Sequence, residues 1–211
     1  MTLAVRLQQG LAELGLDLPE SAQAQLLSYL ALLKKWNATY NLTAIRDEST
    51  MLTQHLLDSL SILPALQKSA LAPRRWADVG SGAGLPGIPL AIACPQWQMS
   101  LIETVEKKTA FQRQAKIELG LANLTVLGGR VESLPAGTFD AVIARAFAEL
   151  ADFVRLAGHL LVAGGKLYAM KGHVPHDEMA RLPAPWQVAD CAPLHVPGLD
   201  AERHLIILRK D

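Results

Sequence analysis

The chain has 211 residues, 50% of them hydrophobic and 19% charged, and its twenty basic and twenty acidic side chains cancel to zero net charge. That length and composition suit one well-cored domain with an appendage and exclude a disordered chain. Zero net charge also excludes the overall basicity of a strong nucleic-acid binder, so any RNA contact has to come from a local basic patch.

Two cysteines, Cys94 and Cys191, stand far apart, which argues against a disulfide framework or a zinc site. There is no apolar run of signal-peptide or membrane-spanning type, so a reducing, cytoplasmic setting is expected.

Residues 1–72 read as an N-terminal helical cap. Leu3, Leu7, Leu11 and Leu14 share one helical face, and Gly15 is a stop signal. Pro19, Glu20 and Ser21 open a second helix, closed by Lys34-Lys35-Trp36, and residues 40–45 read as a loop. A third helix carries Met51, Leu52, Leu56, Leu60 and Leu63 and is expected to end before Pro64. The join to the next unit is placed at the turn Ala72-Pro73-Arg74-Arg75.

Residues 73–211 then alternate strand and helix patterns, which predicts a largely parallel sheet. Strands are predicted at residues 76–79, 99–103, 124–127, 141–145, 165–170, 187–192 and 204–208. Helices are predicted at 107–118 and 148–161. Only Pro197-Gly198-Leu199-Asp200 separates the last two strands, which suits an antiparallel hairpin at the sheet edge.

The stretch with chemistry in it is Asp78-Val79-Gly80-Ser81-Gly82-Ala83-Gly84-Leu85-Pro86-Gly87. An apolar strand runs into an acid, a glycine-rich turn and an apolar helix, so a ligand is expected on the turn. Gly82, Gly84 and Gly87 match the dinucleotide fingerprint by letter, a weak signal alone. Asp78 weighs against a diphosphate and in favour of S-adenosylmethionine, which carries a sulfonium and an ammonium instead. The pattern resembles the first motif of Rossmann-like class I methyltransferases.

Glu103 ends the second strand, where an acid binds ribose hydroxyls; its alternative is a solvated strand end. Val131 and Glu132 follow the third strand and suit the adenine edge, although Glu132 also reads as a helix-start acid. Arg145 leaves the fourth strand at its carboxyl end, to bind a ligand or to pair with Asp78. The Asn-Pro-Pro-Tyr of many amine methyltransferases is missing there. His173, His176, Asp177 and Glu178 lie in a Pro-containing stretch read as a loop rather than a metal site.

Together the motifs resemble the RsmG (GidB) family of bacterial 16S rRNA guanine-N7 methyltransferases. The resemblance rests on Asn41-Leu42-Thr43-Ala44, on residues 54–60 and 78–89, on Lys107-Lys108 and Arg130-Val131-Glu132, and on residues 145–148, 168–172 and 202–205. It implies a seven-stranded, mostly parallel sheet with an antiparallel C-terminal strand. It implies S-adenosyl-L-methionine as cofactor and N7 of guanine 527, in the 530 loop, as target. Cofactor contacts then fall on Gly80, Leu85, Val131, Glu132 and Arg145, beside Asp78, Gly82 and Glu103, with Arg145 also the candidate catalytic residue. The chain departs from the family in carrying Glu103 where aspartate is frequent.

Asn41, His55, Lys107 and Lys171 are the candidate RNA contacts; Lys34, Lys35, Arg74, Arg75 and Lys108 are further ones, and solvated surface is the alternative for the lysines. The expected partner is 16S rRNA or the 30S subunit, met by a monomer with no metal and no membrane attachment. A small-molecule methyltransferase and a non-catalytic cofactor-binding module are the competing readings.

Overall fold

The computed structural model describes residues 1–66 and 74–210. The expected join at Ala72-Pro73 therefore lies outside the described residues. Among these residues seven strands form one sheet: β1 (Arg75–Val79), β2 (Gln98–Glu103), β3 (Leu124–Gly128), β4 (Phe139–Arg145), β5 (Leu161–Lys171), β6 (Trp186–Pro193) and β7 (His204–Lys210). Their order is β3-β2-β1-β4-β5-β7-β6. β1 to β5 are parallel, and β7 runs antiparallel between β5 and the edge strand β6. Strand order reverses after β1, so the crevice at the carboxyl ends of β1 and β4 is where such sheets bind ligands.

The helices are α1 (Leu3–Glu13), α2 (Glu20–Tyr40), α3 (Glu48–Met51), α4 (Asp58–Leu60), α5 (Leu63–Leu66), α6 (Gly87–Ala93), α7 (Glu106–Glu118), α8 (Leu150–Ala157) and α9 (His176–Ala180). Strand alternation divides them between two faces of the sheet. Trp76 of β1 with Ala141 and Ile143 of β4 packs into the core shared by α1, α2, α6 and α7. Ala77 and Val79 with Val142 and Ala144 pack on the other face, against Phe153 and Val154 of α8. The first core holds leucines from residues 7–66 together with sheet residues as far as Leu205, so it is continuous across both parts of the chain.

Four expectations are corrected. α2 continues past Trp36 to Tyr40, because Trp36 stacks on Tyr40 at 5.1 Å and Asn37 is buried, bonding Ile45 O and Thr43 N. The third helix ends before Pro64 as expected, but at Leu60, so that Leu63 falls outside it: a turn at residues 61–62 leads into α5, where Pro64 sits in the first turn and needs no N–H partner. Helix α8 stops at Ala157, and β5 begins at Leu161 after a 3-10 turn at Gly158–Leu160, where Trp186 of β6 takes the space of a Gly158 side chain. The stretch after Lys171 holds a short helix, α9, in place of an open loop.

Between α3 and α4 the chain forms a π-helical segment, Leu52–Leu57, so residues 48–60 are one helical run with a widened middle. Such widened turns are rare and concentrate at functional sites. His55 sits in this one, and Asp58 follows it directly.

Candidate functional site

The glycine-rich turn leaves β1 at the sheet's carboxyl edge and feeds α6. Except at Ala83, its backbone N–H groups are bonded within the protein. Gly80 N donates to Ile102 O at 2.9 Å, Gly84 N and Leu85 N to Ser81 O at 2.7 and 2.9 Å, and Gly87 N to Asp78 Oδ2 at 2.8 Å. Gly82 N donates to Glu103 Oε2 at 2.9 Å. The turn is further pinned by Gln112 Nε2, which donates to Ser81 Oγ and Gly82 O, both at 2.8 Å, and by the Tyr29 hydroxyl, which donates to Ala83 O at 2.8 Å. A phosphate cradle needs an array of free amides at this place; here all but that of Ala83 are spent, two of them on carboxylates.

Two glycines are demanded by close approach. A Cβ on Gly80, which has φ +67°, would lie 2.9 Å from the Phe147 ring. One on Gly87 would lie 2.3 Å from a Leu101 methyl and 2.8 Å from Asp78 Oδ2.

Two clefts open beside the turn. The first runs between the ends of β1, β2 and β3, and is lined by Gly80, Ile102, Glu103, Val131, Glu132 and Phe147 among others. Its lining sets Val79, Ile102, Phe147 and Leu156 beside the carboxylates of Glu103 and Glu132, with Arg130 next to Glu132. Glu103 Oε1 accepts from Thr104 N and Val105 N at 2.8 and 2.9 Å, which fixes the side chain. A slot with apolar side chains, a buried acid at the strand end and a glycine-rich turn whose amides are nearly all bonded fits an uncharged nucleoside bearing a cationic tail. It does not fit a diphosphate.

The second cleft lies on the helical side, lined by His55, Asp58, Arg145, Phe147, Lys171 and Arg203 among others. Phe147 is common to both. Arg145 is the next residue of β4 on the face of Ala141 and Ile143, so it points to the helical layer. Its ion pair is made there, with Asp58 Oδ2 at 2.8 Å, and not with Asp78 as the sequence had suggested. Lys171 pairs with Glu178 at 2.9 Å.

Asp78 is fully buried beneath the turn, and burial pushes its carboxyl up to about 7, with the Gly87 amide and Arg145 opposing. Burial drives His55 down to about 4, and Arg145 adds to the shift. The neutral imidazole bonds Thr43 Oγ1 at 2.9 Å and Gln54 O at 3.1 Å.

Comparison with known proteins agrees with this geometry. The family model described as rRNA small subunit methyltransferase G (GidB) matches residues 22–206. The chain belongs to that family. It is 58% identical over 213 residues to the ribosomal RNA small subunit methyltransferase G of Aromatoleum aromaticum, covering 99% of both chains. To the protein of the same name from Azoarcus sp. it is 56% identical, covering 98% of this chain and 96% of the other. A crystal structure of a SAM-dependent methyltransferase from Aquifex aeolicus superposes with TM-score 0.55 at 17% identity, over 77% of this chain and 98% of that one. The fold is that of Rossmann-like class I methyltransferases.

Within this family member, Gly80, Glu103, Val131 and Glu132 meet at the first cleft, and His55, Arg145 and Lys171 at the second. Asp78, Gly82 and Leu85 underlie the turn and line neither. Asn41 and Lys107 are exposed and line neither; Asn41 ends α2 in the left-handed conformation and accepts from Arg46. Arg75 pairs with Asp140 at the opposite edge of the sheet, and Lys34 with Glu48. Sequence reasoning missed Phe147, Gln112, Tyr29, Asp58 and Arg203. Asp58 had one signal, an acid inside an apolar helical run. Among the described residues no three His, Cys, Asp or Glu side chains gather as a metal site, and no helix is long and apolar enough to cross a membrane.

Proposed function

We propose that the chain uses S-adenosyl-L-methionine to methylate N7 of a guanine in 16S rRNA, at guanine 527 of the 530 loop. The observation that carries this reading is the internally bonded turn, whose amides are occupied at every position but Ala83 and whose neighbours Asp78 and Glu103 are acids. Family membership supports the same reading.

Glu132 and the Val131 backbone, which line the first cleft, would read the adenine edge, and Glu103 has lone-pair capacity left for the ribose. Gly80 allows the cofactor to lie against the backbone. Bound S-adenosylmethionine supplies an electrophilic methyl group. Guanine N7 has a lone pair and no proton, so the protein needs no general base and works by alignment. Among the described residues Arg145 Nε and Nη2 have no hydrogen-bond partner and serve an acceptor in the second cleft, either the cofactor carboxylate or guanine O6. Phe147, the wall between the clefts, presents a ring face for a base unstacked from the RNA. His55 and Lys171 border the RNA-facing cleft, with Asn41 and Lys107 as outer contacts.

The expected setting is the cytoplasm, where 30S subunits assemble, and the expected state is a monomer. The test is tritiated methyl transfer to 30S subunits and to free 16S rRNA, with the modified nucleotide mapped by mass spectrometry. One N7-methylguanine in the 530 loop is expected. Transfer to a metabolite alone, or none to either RNA, refutes the reading.

A further inference from the structure

We propose that Asp58 is a positioning residue for methyl transfer, acting through Arg145; this rests on the function proposed above. Asp58 comes from the N-terminal helices and is buried, yet its carboxylate serves Arg145 at the end of β4 and Arg203 just before β7. Oδ2 accepts from Arg145 Nη1 at 2.8 Å, and Oδ1 accepts from Arg203 Nε at 2.8 Å. Arg145 Nη1 also donates to Gln54 O at 2.8 Å, a carbonyl in the π-helical segment. Both hydrogens of Nη1 are thereby committed.

A guanidinium is planar, so anchoring one nitrogen at two points fixes the plane of the whole group. Nε and Nη2 are then held at a set angle in the second cleft instead of sweeping it. The charge count points the same way. Lys171 has its own partner in Glu178, and among the described residues Asp58 is the carboxylate that bonds both Arg145 and Arg203 and so offsets their repulsion. Without it the two guanidiniums would separate, and Arg145 would leave the geometry that its free donors now have.

A tie that merely fastens the helices to the sheet would make the same bonds, so the test must separate the two roles. The full chain would be compared as wild type, Asp58→Asn, Arg145→Ala and the double variant, by kcat/KM for transfer to 30S subunits and by thermal midpoint. Positioning predicts that Asp58→Asn lowers kcat/KM on the order of tenfold to a hundredfold in the wild-type background. In the Arg145→Ala background it changes kcat/KM less than about twofold. Equal losses in both backgrounds overturn the proposal.

Nitrogen-15 spectra of the arginine side chains give an arm independent of activity. A clamped Arg145 shows separate, slowly exchanging Nη signals in the wild-type chain, and these merge in Asp58→Asn. Merged signals in the folded wild type overturn the proposal even if the variant fails to fold. If the wild type transfers no methyl group to RNA, the functional reading falls and the spectra still decide for or against Asp58.

Discussion

Gly80 shows how little room a single position has. Its φ is +67°, and a Cβ there meets the Phe147 ring at 2.9 Å. Gly80→Val should abolish measurable S-adenosylmethionine binding by calorimetry and cost about 1–2 kcal/mol of stability from left-handed strain. Retained affinity would remove the turn from the binding site. Two buried titrating residues give opposite pH signatures. Asp78 is raised from 3.8 to about 7, so between those values the folded chain holds a proton that the unfolded chain has lost, and stability falls as pH rises. His55 is lowered from 6.5 to about 4, so in that window the unfolded chain holds the extra proton, and stability is lost as pH falls. The slopes oppose each other in the wild type. Denaturation between pH 4 and pH 8 should therefore show Asp78→Asn losing stability more steeply on acidification than wild type, and His55→Gln losing it less steeply. Identical pH profiles for all three proteins would refute both shifts. Glu103 was legible in the sequence because an acid closing an apolar strand is a local signal. The partner of Arg145 was not: Asp58 lies 87 residues away, and only the alternation of β4 and the turn of a helix bring them together.

At the scale of elements, the π-helical segment is what the sequence hid. Met51, Leu52, Leu56 and Leu60 fit an ordinary helical stripe, so hydrophobic spacing carries no mark of the widened turn. Its seat is set by α1, where Gly10 faces Leu57: a Cβ there would lie 2.6 Å from a leucine methyl. Gly10→Val should overpack this contact and lower stability by about 1–3 kcal/mol in chemical denaturation. An unchanged midpoint would show that α1 can shift away from the segment freely. The start of β5 was hidden for another reason. Gly164-Gly165 reads as a strand boundary, yet the register shift opposite Phe139 and Ala141 carries the strand through it. By contrast, the β6–β7 hairpin was legible, since a Pro-Gly turn between two apolar runs leaves few other foldings.

For the molecule as a whole, the N-terminal helices and one face of the sheet share a core, and the glycine-rich turn is gripped from both. Tyr29, in the middle of α2, is fully buried and bonds Ala83 O. Tyr29→Phe should cost about 1–2 kcal/mol by leaving that carbonyl unpaired, and should weaken cofactor binding alongside. If stability drops while affinity stays the same, the turn holds its shape without α2. The fold class was legible from the alternation of strands and helices, because periodicity survives in a single sequence. The continuity of the core was not, because apolar spacing says which face is covered and never by what.

The saturated turn has one more consequence. A loop that has spent all but one of its donors internally gives polyanions little foothold, so abundant nucleotide triphosphates and free phosphate should compete weakly at this place. The same saturation means that the loop is already in its working shape before any ligand arrives, and little ordering entropy is lost when one does.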